Sequence, residues 1–160
     1  MNKIVTTLVL IYDNKKILLG MKKRGFGEGK WNGFGGKVDE HEKIHEAAER
    51  ELEEEAGLKL KNSNALKERG LMYFSFEDTK DKEVIEVNVF GVRSDNIIGE
   101  PEETEEMRPG WFRHQEIPFD QMWVDDQHWM EIFLRGDNFY GEFLFNKDGS
   151  KVLKKKMEIK

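Results

Sequence analysis

The chain contains no cysteine and only three prolines among its 160 residues. Without cysteine there is no disulfide scaffold, no thiolate zinc site and no thiol nucleophile, which fits a reducing compartment and a cytoplasmic location. Long apolar runs are missing as well. Leu8 to Tyr12 is the longest early one. It falls far short of the ~20 residues of a membrane span, and no secretory signal pattern precedes it. Excess positive charge is also absent: 26 Lys and Arg face 32 Asp and Glu, a net charge of −6. That balance argues against unspecific attachment to nucleic acid or to an anionic membrane. No repeat, long linker or low-complexity tract marks an internal boundary. At roughly 100–200 residues per domain, the expectation is one domain over 1–160, acting as a monomer. What the chain does have is bulky core material, 11 Phe, 4 Trp and 7 Met, beside 36% charged residues.

Hydrophobic periodicity predicts the elements. Ile4 to Tyr12 is rich in β-branched residues, and Asp13-Asn14 supplies turn chemistry before a second apolar run, Ile17 to Leu19; together they read as a hairpin. Gly25 to Gly36 holds six glycines around Phe26, Trp31 and Phe34, a loop in which backbone approaches something closely. Glu42 to Ala56 is built of helix formers, carries Ile44, Ala47, Ala48 and Leu52 at helical spacing, and stops at Gly57, a left-handed cap. Leu71 to Phe76 and Val84 to Val92 read as strands, and a further strand is expected to begin at Trp111-Phe112. Asp126 to Leu134 reads as a second helix, and Phe139 to Phe145 pairs with Val152 to Ile159 across an Asp148-Gly149 turn. The order predicts an α+β fold, a mixed sheet sandwiched between helices.

Several signatures fail. Gly25 to Lys30 is too short for a phosphate-binding loop, and Trp31 stands where such a loop needs Ser or Thr. There is no G-x-S-x-G nucleophile elbow. The four histidines, His41, His45, His114 and His128, lack zinc spacing and read as surface or capping residues. Glu51, Glu54 and Glu55 remain: spaced i, i+3 and i+4, they share one helix face, so their carboxylates are expected to converge. Taken alone, a glutamate run is an ordinary solvated face, and Arg50 is equally an i,i+4 partner for Glu46 or Glu54.

A longer pattern changes that reading. Gly36, five residues, Glu42, seven residues, Arg50-Glu51-Leu52, one residue, Glu54-Glu55, one residue and Gly57-Leu58 resemble the Nudix box at every specified position. The resemblance implies the Nudix fold and hydrolysis of a nucleoside diphosphate linked to another moiety. It implies a Mg²⁺ site, with Mn²⁺ as a substitute, held by Glu51, Glu54, Glu55 and the Gly36 carbonyl. Arg50 would orient a catalytic glutamate, and Glu42 would brace Arg50. Oxygen ligands of this kind suit hard divalent cations, which share them with substrate phosphates. A triphosphate brings about four negative charges to an acidic face, so binding needs such a cation. Lys37 and Lys22 would offset further phosphate charge; otherwise either is a solvated lysine.

Beyond the box, Leu19 to Gly27 and Trp31 to Lys37 are similar to the animal-type oxidised purine nucleoside triphosphatases, MutT homologues. Glu106-Met107-Arg108-Pro109, Ile117-Pro118-Phe119 and Met122-Trp123-Val124-Asp125-Asp126 continue the likeness. It implies removal of 8-oxo-dGTP, and of 2-hydroxy-dATP as a second lesion, to monophosphate and pyrophosphate. Trp123 and Phe26 offer flat faces to a purine, and Asn32 can donate and accept. Asp125 and Asp126, if buried together, must share a proton; read alone, either is a helix N-cap. By the resemblance Phe74, Met107 and Trp129 line the base pocket; by burial statistics alone each is core. Glu106 is a further metal ligand or base by the resemblance, or part of a solvated acidic run. Val124 departs from the family, where Pro stands, and frees the backbone there. The alternatives are a Nudix hydrolase of another nucleotide (an undamaged dNTP, a dinucleoside polyphosphate, a nucleotide sugar) and a non-catalytic nucleotide sensor. The related isopentenyl diphosphate isomerases use a cysteine, which is absent.

Overall fold

The structure, a computed structural model, describes residues 2–78 and 83–160. In chain order the strands are β1 (Lys3–Tyr12), β2 (Lys16–Lys22), β3 (Trp31–Asn32), β4 (Lys59–Leu60), β5 (Lys67–Phe76), β6 (Val84–Arg93), β7 (Ile97–Ile98), β8 (Met107–Arg113), β9 (Phe139–Phe145) and β10 (Val152–Ile159). Helix α1 (Ile44–Ala56) follows β3, and α2 (Asp126–Leu134) follows β8. The main sheet runs β10-β9-β5-β6-β1-β2-β3, with β8 also paired to β2. It is mixed: β1–β6 and β5–β9 are parallel, the other pairs antiparallel. β4 and β7 form a separate two-stranded ladder.

Local chemistry accounts for the joints. Asp13 Oδ1 accepts the amides of Lys15 and Lys16 at 2.8 and 2.7 Å, closing the β1–β2 turn. Helix α1 starts at Ile44, two residues after the expected Glu42. Lys43 is still extended, and Glu46 reaches back to its N–H at 2.9 Å. At the other end Gly57 adopts φ 69° and its N–H returns to the Glu53 carbonyl. β8 begins at Met107 rather than Trp111. Pro109 and Gly110 hide the strand in the sequence, yet Pro is tolerated because, among the described residues, β8 is an edge strand paired with β2 alone.

The core explains why β1 is one continuous apolar run. Leu8 and Leu10 point to one face, packed in the cluster containing Trp129 and Phe133 of α2. Val9 and Ile11 point to the other, with Ala48, Leu52 and Ala56 of α1. Both faces are therefore dry, the pattern of a strand buried on each side. β2 pairs with β1 only near the hairpin, Ile11 with Leu18 and Tyr12 with Ile17. Along the rest of β1, the loop after β3 takes over. The Thr7 N–H donates to the Gly36 carbonyl at 2.9 Å, Val9 and Phe34 exchange backbone bonds, and Val38 N–H donates to Val5. A Cβ at Gly35 would run into the Thr7 carbonyl, so this strand-like seating needs glycine. No helix among the described residues is long and apolar enough to cross a membrane.

Candidate active site

The diverging strands leave a cavity of about 660 Å³, the size range of small-molecule sites. Its apolar wall includes Met72, Phe74, Phe76 and Phe145, and its polar wall brings Lys22, Lys37, Glu55 and Glu106 to the same space as Asn32, Asp125 and Asp126. Trp123, Phe26 and Met107 line it as well.

The acidic helix presents Glu55 to this cavity, while Glu51 and Glu54 are both held by Arg50. Glu55 is buried, 4% exposed, and its Oε1 accepts the Gly35 N–H at 2.8 Å. Glu51 tucks under Gly36, where a Cβ would lie 2.6 Å from its Oε1. Glu54 remains outside, reached by Arg50 Nη1 at 3.3 Å. The expected convergence is corrected in part: the three share a helix face and Glu51 and Glu54 meet at Arg50 Nη1, but among the described residues no three acidic or histidine side chains close into a cage. Arg50 Nη1 bridges Glu51 and Glu54, while the Gly35 amide takes Glu55.

Arg50 organises this helix. Its Nε and Nη2 clamp both oxygens of Glu42 at 2.7 and 3.0 Å, Nη1 donates to Glu51 at 3.0 Å, and Nη2 also reaches the Lys37 carbonyl at 3.1 Å. One guanidinium thus ties the loop after β3 to α1 through a bidentate, charge-assisted pair. Arg50 pulls Glu42 below the usual carboxylate range. Glu51 is pushed up by burial, against the opposing charge of Arg50. Glu55 is pushed up to about 7, first by burial and further by the charges of Glu51 and Glu106, while the Gly35 amide and Lys22 oppose the rise.

Lys22 Nζ lies 3.7 Å from Glu55 Oε2 and 3.4 Å from Glu106 Oε2, so it belongs to the site rather than to open solvent. Arg24, which nothing in the sequence singles out, donates to Glu106 Oε1 through Nη2 at 2.8 Å and holds that carboxyl down. The oxygen-only donor set suits a hard divalent cation. Glu51, Glu55 and the Gly36 carbonyl, whose acceptance from Thr7 leaves one lone pair, fit such an ion. So does the crowding that raises Glu55, which a cation would relieve.

On the base side, Asp125 and Asp126 are each 2% exposed. Asp125 occupies the cap position of α2, but its side chain makes no capping bond. Its Oδ2 accepts the indole N–H of Trp129 at 2.8 Å instead. Burial raises both carboxyls, and the Asp125 charge drives Asp126 well above the ordinary range. Asn32 lines the cavity, and its Oδ1 accepts the Gly33 N–H at 2.9 Å. Phe26, 75% exposed, lies 5.1 Å from Trp123 at 33°, and Lys30 Nζ sits over the same indole. Trp129 is the second correction. It is wholly buried and does not line the cavity; the stacking of its ring on Phe139 at 5.4 Å holds it in the core. The sequence reading also missed Thr7, a cavity-wall residue whose buried Oγ1 has no partner, and Phe76. Phe76 was findable, since alternation along β5 puts it on the same face as Phe74.

A mixed sheet between two helices, with an acidic helix and a glycine loop meeting at its open seam, is the architecture of the MutT class. It superposes on a MutT protein of Bacillus halodurans with a TM-score of 0.82 over 97% of each chain, at 24% identity. The NUDIX domain profile matches residues 2–133, and the chain belongs to the Nudix family, whose hydrolases use divalent cations. It is 50% identical over 139 residues to an oxidized purine nucleoside triphosphate hydrolase of Danio rerio and 47% identical to that of Mus musculus. Each match covers 87% of this chain and 85% of the relative.

Proposed function

We propose that this protein, as one domain over 1–160, hydrolyses oxidised purine nucleoside triphosphates, 8-oxo-dGTP first, to monophosphate and pyrophosphate with Mg²⁺, so cleansing the nucleotide pool. The observation that carries the reading is the Asp125–Asp126 pair. Two adjacent carboxyls, buried in an aromatic cavity, offer a donor and an acceptor side by side once they share a proton. That pattern answers a purine edge that carries both kinds of group. Asn32 and Thr7 add polar contacts, and Trp123 and Phe26 add faces for the ring. The names of the vertebrate relatives point the same way.

At the phosphate side, Glu51, Glu55 and the Gly36 carbonyl would hold the cation, with Glu54 and Glu106 beside them. When bound, the ion supplies neutralising charge and Lewis acidity at the phosphates. Lys22 and Lys37 meet the remaining phosphate charge. Arg50 keeps Glu51 aimed and, through Glu42, keeps the loop seated on the helix. A carboxylate of the helix takes the proton of the attacking water. The test is kcat/KM for 8-oxo-dGTP and dGTP, each with and without Mg²⁺. A clear preference for the oxidised nucleotide is expected, and activity is expected to vanish without the cation. Equal values for the two nucleotides would remove the sanitising role.

A further inference from the structure

The two base-side carboxyls are not equivalent. In one dry pocket they cannot both ionise, so their shared proton decides which accepts and which donates. Asp125 alone has a fixed donor: the indole N–H of Trp129, four residues on along α2, at 2.8 Å. An indole N–H only donates, so it favours the ionised form of its partner. Trp129 is held by its stack on Phe139 and cannot turn away. Among the described residues no side chain donates to Asp126 in this way, and its Oδ2 is buried without a partner. Its rise comes from burial and from Asp125, whereas the rise of Asp125 is opposed by Trp129 and by Asp126. Charged side chains of neighbouring elements turn elsewhere: His128 of α2 meets Lys155, and Lys30 lies over the Trp123 ring.

We propose that Trp129 is a positioning residue for substrate choice: its indole N–H holds Asp125 as the acceptor of the pair, leaves Asp126 as the donor, and so favours guanine-type over adenine-type edges. The inference rests on the reading of this cavity as an oxidised-purine pocket. Position 6 of guanine carries an accepting oxygen, and position 6 of adenine a donating amino group. A donor fixed on Asp126 suits the first. Taking the second requires the proton to move to Asp125, against the hydrogen bond from Trp129.

The experiment compares kcat/KM for 8-oxo-dGTP and 2-hydroxy-dATP across pH in wild type, W129F, and protein carrying benzothienylalanine at position 129. That last side chain keeps the bicyclic shape and puts sulfur where the N–H was, so it serves if W129F folds poorly. The ratio favouring 8-oxo-dGTP is expected to fall about tenfold in both, equivalent to about 1.4 kcal/mol. The carboxyl limb of the pH profile should move to higher pH. In ligand-free protein, the infrared band of the protonated carboxyl, assigned to Asp126 by its loss in D126N, should pass in part to Asp125. A merely structural tryptophan would lower both kcat/KM values in proportion and leave ratio and band unchanged, which overturns the proposal. A wild type blind to oxidation of the base would instead sink the function beneath it, and is seen before any variant is made.

Discussion

Gly36→Ala separates what the glycine does for folding from what it does for chemistry. No left-handed backbone is involved, since Gly36 is not among the positive-φ residues. The added Cβ would lie 2.6 Å from Glu51 Oε1 and 2.9 Å from its Cδ, where ordinary contact needs about 3.4 Å or more. The obstacle is the far end of a flexible side chain, so the fold survives by moving the carboxylate by the order of 1 Å. The loss is the Arg50–Glu51 bond at 3.0 Å, between side chains 28% and 15% exposed, an ion pair worth about 1 kcal/mol. For a chain of this size that lowers Tm by only about 2–4 °C. Activity should fare much worse, because a displacement of about 1 Å at a reacting centre costs about a hundredfold. Thermal unfolding, Mg²⁺ titration by calorimetry and kcat/KM decide it. The expected result is a nearly intact Tm, weakened Mg²⁺ binding and kcat/KM down about a hundredfold. Wild-type turnover would refute the role of Glu51, and a collapse of Tm by tens of degrees would make Gly36 a folding residue instead.

Asp126 carries a pH dependence. Its folded-state pKa is raised, by burial and by Asp125, so the stability it contributes is full below its unfolded value of about 4 and is lost as pH rises through the folded value. D126N cannot ionise; it should therefore be more stable than wild type near neutral pH, with the gap closing toward pH ~4 in a series of urea melts. Phe26→Ala removes an exposed ring that lines the cavity and packs on Trp123. A lost stacking face should raise KM about tenfold and leave Tm within about 2 °C; an unchanged KM would place the base elsewhere. Arg69 is buried and donates to the Phe133 and Asp137 carbonyls at 2.7 and 3.0 Å, at the end of α2. Arg69→Met strands the Asp137 carbonyl, while the Phe133 carbonyl keeps the Gly136 N–H, and should cost about 1–3 kcal/mol in chemical denaturation; a loss well under about 1 kcal/mol would mean that water replaces the guanidinium.

How much the sequence revealed follows from the range of the forces involved. Helix α1, its Gly57 cap, helix α2 and the β9–β10 hairpin are set by neighbours within a few residues, and periodicity exposed them. The two-residue strands β3, β4 and β7 carry no periodicity at all; only their partners make them strands. β8 was read as starting late because Pro109 and Gly110 break the pattern, although an edge strand accommodates both. Arg24 and Glu106 stand 82 positions apart, and nothing local to either predicts that the loop after β2 and the start of β8 meet over the cavity.

The acidic helix shows where spacing stops being informative. The i, i+3, i+4 pattern fixes which face of α1 the three glutamates share, but not which way each side chain turns once it leaves the backbone. That is settled by the donors each one meets: the Gly35 amide, from the loop after β3, takes Glu55, and Arg50 of the same helix holds Glu51 and Glu54. The same logic makes Trp129 informative. The family resemblance makes it a pocket wall, yet its ring packs in the core and its N–H reaches the site through one oxygen of Asp125. A residue at i+4 from a buried carboxylate on a helix is placed by the backbone to act on it, so the contact was accessible from spacing. What spacing could not supply was the burial of Asp125, and burial is what gives a single N–H control over a proton.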